Sequence, residues 1–164
     1  MNFEELTYEL YGPYGVAVLV EVSTDNRNRA ASEIRSIVTK NGGSIATPGS
    51  VSRLFHRKGQ IIVSREAANE DQLMEVALEA GAEDFKAEPQ GYEIITEPAH
   101  FEAVHRQVEA KGIKADVAGV TELATMTVLL QEAGAVAAVN RLIEALEDHD
   151  DVKEVHSNAE FPEA

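Results

Sequence analysis

The apolar positions of this chain repeat with two different periods. Their alternation predicts two copies of one β-α-β-β-α-β order. Val16 to Val22 is a valine-rich run broken only by Glu21, as expected of a buried strand. After Asp25 the spacing turns helical, with Ala30, Ile34, Ile37, Val38 and Asn41 on one face. Asn41-Gly42-Gly43 predicts the stop, because glycine enters the left-handed conformation that closes a helix. Ser44 to Thr47 reads as a short strand, Pro48-Gly49 as a turn, and Val51 to His56 as a further strand.

A similar order starts again at Gln60 to Ser64. Asn69-Glu70-Asp71-Gln72 is a helix-capping sequence ahead of Leu73, Val76, Ala77 and Ala80. Glu83 to Ala87 and Tyr92 to Thr96 flank Pro89-Gln90-Gly91 as a hairpin. Pro98 opens a helix with Phe101, Val104 and Val108 inward, and residues 115–120 and 123–130 supply strand material. Val136, Val139, Leu142, Ile143 and Leu146 then mark a last helix, and Val152 to Ser157 a last strand. Alone these two make no domain, but they complete the first set. The expected class is therefore α+β, with two ferredoxin-like domains, one inserted into the other. Residues 14–58 plus 131–160 form the discontinuous domain, residues 59–130 the insert, and residues 1–13 an N-terminal extension. In that extension Tyr8, Tyr11 and Tyr14 recur every third residue. They predict a hydrophobic staple rather than a stacking surface for bases, since no Lys or Arg occurs among residues 1–26.

Charge changes this picture. The 164 residues carry a net charge of −15, but unevenly. Residues 1–65 hold eight Lys/Arg against six Asp/Glu, and residues 66–164 hold six against 23. A general affinity for nucleic acid is excluded, because phosphate binding needs a positive field. A confined basic face built from Arg27, Arg29, Arg35, Lys40, Arg53, Arg57, Lys58 and Arg65 remains. The alternative is that these cations simply pair with Asp25, Glu21 and Glu33. Asp25 is the expected N-cap of its helix, and Arg27 and Arg29 fall in or beside the first turn. Cations there oppose the helix macrodipole, so an arginine pair beside free N–H groups predicts an anion site.

Other chemistry is sparse. There is no cysteine, hence no thiol nucleophile and no thiolate zinc site. His56, His100, His105, His149 and His156 include no pair at zinc-motif spacing, and no nucleophile elbow, P-loop or dinucleotide fingerprint occurs. Glu144, Glu147, Asp148, Asp150 and Asp151 read as a solvated helix end. No catalytic residue, metal or cofactor is expected. Without a signal peptide or an apolar run near the ~20 residues of a membrane span, a cytoplasmic protein with no membrane partner is expected.

Several segments carry a family likeness: Tyr8 to Val16, TDNRNRAASEIR (24–35), GGSIATPGSVSRLFHRKG (42–59), ALEAGAEDF (77–85) and EALEDHDDVKEVHSNAEF (144–161). Together they resemble the YebC/PmpR family, bacterial transcriptional regulators that include the mitochondrial translational activator of cytochrome c oxidase. The likeness covers nearly the whole chain. It implies two α+β domains, one interrupting the other, preceded by a Lys/Arg-rich helical domain ahead of the segment matching Phe3-Glu4-Glu5. On that expectation the chain is a short paralogue or a fragment. Leu10 and Tyr14 depart from the family, standing where it usually has glycines. The resemblance further implies regulation of gene expression by binding DNA or the ribosome and its rRNA, without catalysis. The contact residues it points to are Asn26, Arg27, Asn28, Arg29, Arg53, Arg57 and Lys58. A protein-interaction module, with partners that include a full-length relative, is the competing expectation.

Overall fold

A computed structural model describes residues 2–161. The fold is α+β, with two four-stranded sheets and four α-helices among the described residues. It divides into two compact units, residues 1–56 with 123–164, and residues 57–122.

Unit 1 is built on β1 (Glu4–Tyr11), β2 (Ala17–Thr24), β3 (Ser44–Ile45) and β9 (Val152–Ser157), in the sheet order β3-β1-β2-β9. Helices α1 (Arg27–Lys40) and α4 (Ala133–Glu147) pack on one face. The reason is alternation. Val18, Val20 and Val22 of β2, with Leu10 of β1, meet Ala30, Ile34 and Val38 of α1 and Val139, Leu142 and Leu146 of α4. All ten are fully buried, each large side chain contributing about 1.5–3 kcal/mol.

β1 departs from the expected extension. Leu6, Tyr8 and Leu10 follow a period of two, and the three pack against this core. Tyr8 and Tyr11 are thus strand residues, not a staple. β1 pairs antiparallel with β2 from Glu4↔Thr24 to Tyr11↔Ala17. Val51 to His56 is corrected in turn. Ser52–Leu54 is a 3₁₀ turn, and only Phe55 and His56 are extended, opening a longer strand. Val51 and Phe55 instead cover Ala17 and Leu19 on the sheet face away from the helices. β2 is therefore apolar on both faces at that end, which explains its unbroken run.

Two features of the linking turns bear on the expectations. Gly42 closes α1 with φ +79°, as anticipated. Tyr14 adopts φ 63° with its side chain exposed, a left-handed conformation that costs a non-glycine residue roughly 1 kcal/mol. Leu10, by contrast, fills the core. Two-residue strands β8 (Val128–Leu129) and β10 (Ala159–Glu160) pair in parallel within the same unit.

Unit 2 takes β4 (Phe55–Ser64) from Arg57 on, α2 (Glu70–Ala80), β5 (Asp84–Glu88), β6 (Gly91–Thr96), α3 (Phe101–Ala110) and β7 (Val117–Ala124) as far as Glu122. Its sheet order, β5-β6-β4-β7, matches that of unit 1 position for position. Ile61, Val63, Tyr92 and Ile94 meet Leu73 and Ala77 of α2 and Val104 and Val108 of α3. Arg57 and Lys58, which follow the strand expected at Val51 to His56, lie inside β4.

Candidate nucleic-acid interface

The turn from β2 into α1 is assembled from short polar side chains. Thr24 is fully buried. Its hydroxyl accepts from the Asn26 N–H at 3.0 Å and donates to Asp151 Oδ2 at 2.9 Å. Asn26, not Asp25, is the N-cap. Its backbone is extended (φ −146°, ψ 90°) and its side-chain oxygen accepts from the Arg29 N–H at 3.0 Å. Asp25 stands one position too early to reach that donor and instead receives the Arg29 guanidinium at 3.2 Å.

Arg29 is heavily engaged. One of its amino groups also donates to Asp151 Oδ2 at 3.0 Å, and its Nε lies 3.8 Å from Glu33. The hydrogen bond to Asp151 is the main influence holding the guanidinium still more firmly in its charged form. Burial acts to raise the Asp151 carboxyl. Hydrogen bonds from Arg29 and Thr24, with the Arg29 charge, outweigh it and keep the group below the usual carboxylate range. Asp151 is thus not part of a solvated helix end, since its side chain is only 12% exposed. A cavity of about 430 Å³ opens beside it, lined by Arg29, Glu33, Asp148, His149, Asp150 and Asp151. His149 Nδ1 accepts from the Asp151 N–H at 3.1 Å, leaving Nε2 to face Glu33 at 2.9 Å. With four carboxylates against one arginine, this cavity repels an anion.

Arg27 is different. Its guanidinium is 62% exposed and meets only an exposed Glu4, at 2.9 Å, among the described residues. Such a pair is worth less than about 1 kcal/mol and yields readily to a stronger anion. Asn28 beside it is exposed, and no acidic residue occupies the first turn of α1.

The remaining predicted residues stand elsewhere. Arg53 lies in the 47–54 loop, its Nε 3.4 Å from the Ser50 carbonyl. That loop is held by Glu9, whose carboxylate accepts from the N–H groups of Gly49, Val51 and Ser52 at 2.8, 2.9 and 2.7 Å. Burial pushes the Glu9 carboxyl up, but these donors prevail and hold it below its ordinary value. Glu9 is five residues along β1 from Glu4, roughly 17 Å at strand spacing, so Arg53 and Arg27 are not brought together. Arg57 and Lys58 belong to unit 2. Arg57 is 64% exposed and 4.0 Å from Glu122. Lys58 is clamped between Glu83 and Glu97, both at 2.8 Å, and these bonds strengthen its hold on its proton. Arg65 is likewise engaged, donating to the Glu88 carbonyl and lying over the Tyr92 ring.

Sequence reasoning gave no role to Glu4, Glu9 and Thr24, and read Asp151 as part of a solvated helix end. The one available signal was the alternation of Leu6, Tyr8 and Leu10. It identifies β1 and so places Glu5, Thr7 and Glu9 on the opposite face.

Fold and site together define a two-unit α+β protein with exposed cations at a helix start in one unit and on a strand in the other, and no nucleotide loop among the described residues. The chain belongs to the TACO1/YebC family: the family model described as "TACO1/YebC second and third domain" matches residues 3–159. A probable transcriptional regulatory protein of Acidobacterium capsulatum is 51% identical over 95% of this chain and 63% of its own length. One from Elusimicrobium minutum is 42% identical over 99% of this chain and 65% of its own. The chain thus spans somewhat under two thirds of these relatives. Among solved structures, a conserved hypothetical protein of Aquifex aeolicus superposes with a TM-score of 0.82 at 41% identity, over 99% of this chain and 67% of that one. No helix among the described residues is long and apolar enough to cross a membrane.

Proposed function

We propose that this chain is a non-enzymatic regulator of gene expression that makes an auxiliary contact with nucleic acid, as DNA or on the ribosome. In the first unit it uses Asn26, Arg27, Asn28 and Arg29, with Arg53 as a further cation; in the second unit Arg57 and Lys58 offer a contact of their own. The observation that carries this reading is Arg27. It is a largely exposed cation in a helix first turn that holds no acid, where it opposes the macrodipole. The names of the relatives support a regulatory role. Arg27 and Arg57 are the direct phosphate contacts. Arg29 and Lys58, tied to carboxylates, hold the surface around them.

The test compares wild type with the variant Arg27→Ala, Arg29→Ala, Arg57→Ala, Lys58→Ala. Ribosome co-sedimentation and RNA or DNA anisotropy are measured across a salt series. Binding should weaken by about tenfold or more, and the log–log salt slope should flatten by about one unit for each phosphate that the variant no longer neutralises. Unchanged binding at every salt concentration defeats the proposal. The net charge of −15 and the pairing of Arg29 and Lys58 favour a second reading, a protein-interaction module. Pull-downs that recover nucleic-acid-free protein partners, indifferent to the four changes, would favour it.

A further inference from the structure

On the sheet face of unit 1 away from the helices, β2 changes character partway along. Ala17 and Leu19 lie beneath Val51 and Phe55, but the next residue on that face is Glu21. The register sets Glu21 directly opposite Glu154 of β9, and Leu19 opposite His156. Residues two apart on a strand share a face, so Glu154 and His156 point the same way as Glu21. Their donor atoms converge. His156 Nε2 is 2.7 Å from Glu21 Oε2 and 3.3 Å from Glu154 Oε2, and one ligand atom from each residue lies within 4.8 Å of the others. The imidazole is only 9% exposed, whereas Glu21 and Glu154 are 38% and 59% exposed.

This arrangement puts two carboxylates across from each other on neighbouring strands, a pairing that is repulsive unless a cation lies between them. The nearly buried imidazole supplies a fixed nitrogen donor at that point. We propose that Glu21, Glu154 and His156 form a binding site for a first-row divalent transition-metal ion, with Zn²⁺ as its representative. Zinc binds imidazole nitrogen and carboxylate oxygen at about 2.0–2.2 Å, which for tetrahedral ligands sets donor atoms about 3.4 Å apart. The His156–Glu154 separation already matches. The His156–Glu21 separation needs to widen by roughly 0.7 Å, well within the rotamer freedom of a glutamate. Mg²⁺ and Ca²⁺ prefer shells made of oxygen alone, so an imidazole in the set selects against them. Three protein ligands leave the fourth position of a tetrahedral ion for water.

The experiment is calorimetric titration of the whole chain with Zn²⁺, with the imidazole ¹⁵N signals followed in parallel. One ion per chain should bind, and the His156 signals should move. Glu154→Gln replaces an exposed carboxylate and preserves the fold, and it should weaken binding about tenfold or more. His156→Gln should do the same. Glu33→Gln, which alters the separate His149–Glu33 pair, should leave binding unchanged. Mg²⁺ should produce no saturable response. The proposal is overturned if wild type shows no saturable Zn²⁺ binding up to about 1 mM, the cluster then being an ion pair only. It is equally overturned if Glu154→Gln and His156→Gln bind as wild type does, or if Mg²⁺ binds as tightly as Zn²⁺.

Discussion

The two units reach one sheet order by different routes. In unit 2 the strand next to β4 is β6, delivered by the β5–β6 hairpin after the first helix. In unit 1 the matching place beside β2 is taken by β1, which comes before β2 in the chain. The segment that follows β3 is thereby released from the sheet. It becomes the 47–54 loop, spread over the helix-free face and caught by Glu9. The helix starts differ as well. Asn26 and Asn69 cap α1 and α2 alike, at 3.0 and 3.1 Å, but α2 follows its cap with Glu70 and Asp71 and α1 with Arg27 and Arg29. A common architecture thus tolerates a rerouted strand and a reversed charge, and both departures fall in unit 1. Capping and burial make the helix in either case. Arg29 is held by Asp25, Glu33 and Asp151, but Arg27 meets only an exposed Glu4 among the described residues, adds little to the helix and so requires another explanation.

The largest effects should be the ones the units share. Ile34 and Leu73 are fully buried where α1 and α2 meet their sheets. Ile34→Ala and Leu73→Ala should each destabilise by about 3 kcal/mol in denaturant unfolding. A cost confined to one of them would show that the two helices are not seated equivalently.

Next comes Glu9, which has no counterpart in the contiguous unit. Glu9→Gln keeps the size of the side chain but turns an amide toward three N–H donors, and should cost about 2 kcal/mol. The sign of its pH dependence follows from its depressed folded-state pKa. The carboxylate contributes fully above the unfolded value, near 4.5, and its contribution is lost as pH falls through the lower folded value. Stability measured across that acid window should fall more steeply for wild type than for Glu9→Gln. Parallel curves would mean the carboxylate does not anchor the loop.

How far these differences could be read in advance depended on sequence separation. The Asn69 cap, the β5–β6 hairpin and the face of α4 are local, so propensity and periodicity suffice for them. β1 was missed because Tyr8, Tyr11 and Tyr14 suggested a period of three, while Leu6, Tyr8 and Leu10 carry the period of two. Val51 and Phe55 looked like a strand because an apolar residue covering a sheet and one within it have the same composition. At the site, Asn26 to Arg29 were legible as a segment, and Asp25 and Glu33 as partners for its cations, but the full pairing of Arg29 was not. Its further partner is Asp151, 122 positions away. The Glu21–Glu154–His156 cluster was invisible for the same reason, since it exists only through the β2–β9 register.

A smaller effect tests the caps. Asn26→Ala and Asn69→Ala should each cost about 1 kcal/mol by thermal or denaturant unfolding. Near-equality would place both starts under the same local rule. A markedly larger loss for Asn26→Ala would mean that the cap also supports the Thr24–Asp151–Arg29 network built around it.

The smallest predicted effect discriminates most sharply. Asn28→Asp gives α1 an acidic first turn like that of α2, without removing either arginine, and Asp71→Asn partly undoes that feature in α2. Through the macrodipole the first should stabilise and the second destabilise by about 0.5 kcal/mol each, with both effects shrinking as salt is added. Asn28 is exposed, so packing does not confuse the comparison. If the first turn of α1 is arranged for helix stability alone, Asn28→Asp improves the protein and changes nothing else. If it is arranged to meet phosphate, the same substitution should raise stability and lower nucleic-acid affinity together, because a carboxylate now stands beside Arg27. Opposite signs for stability and binding would assign the reversed charge of α1 to ligand contact. A gain in stability with binding untouched would leave Arg27 as a surface cation, and the difference between the two helix starts would carry no function.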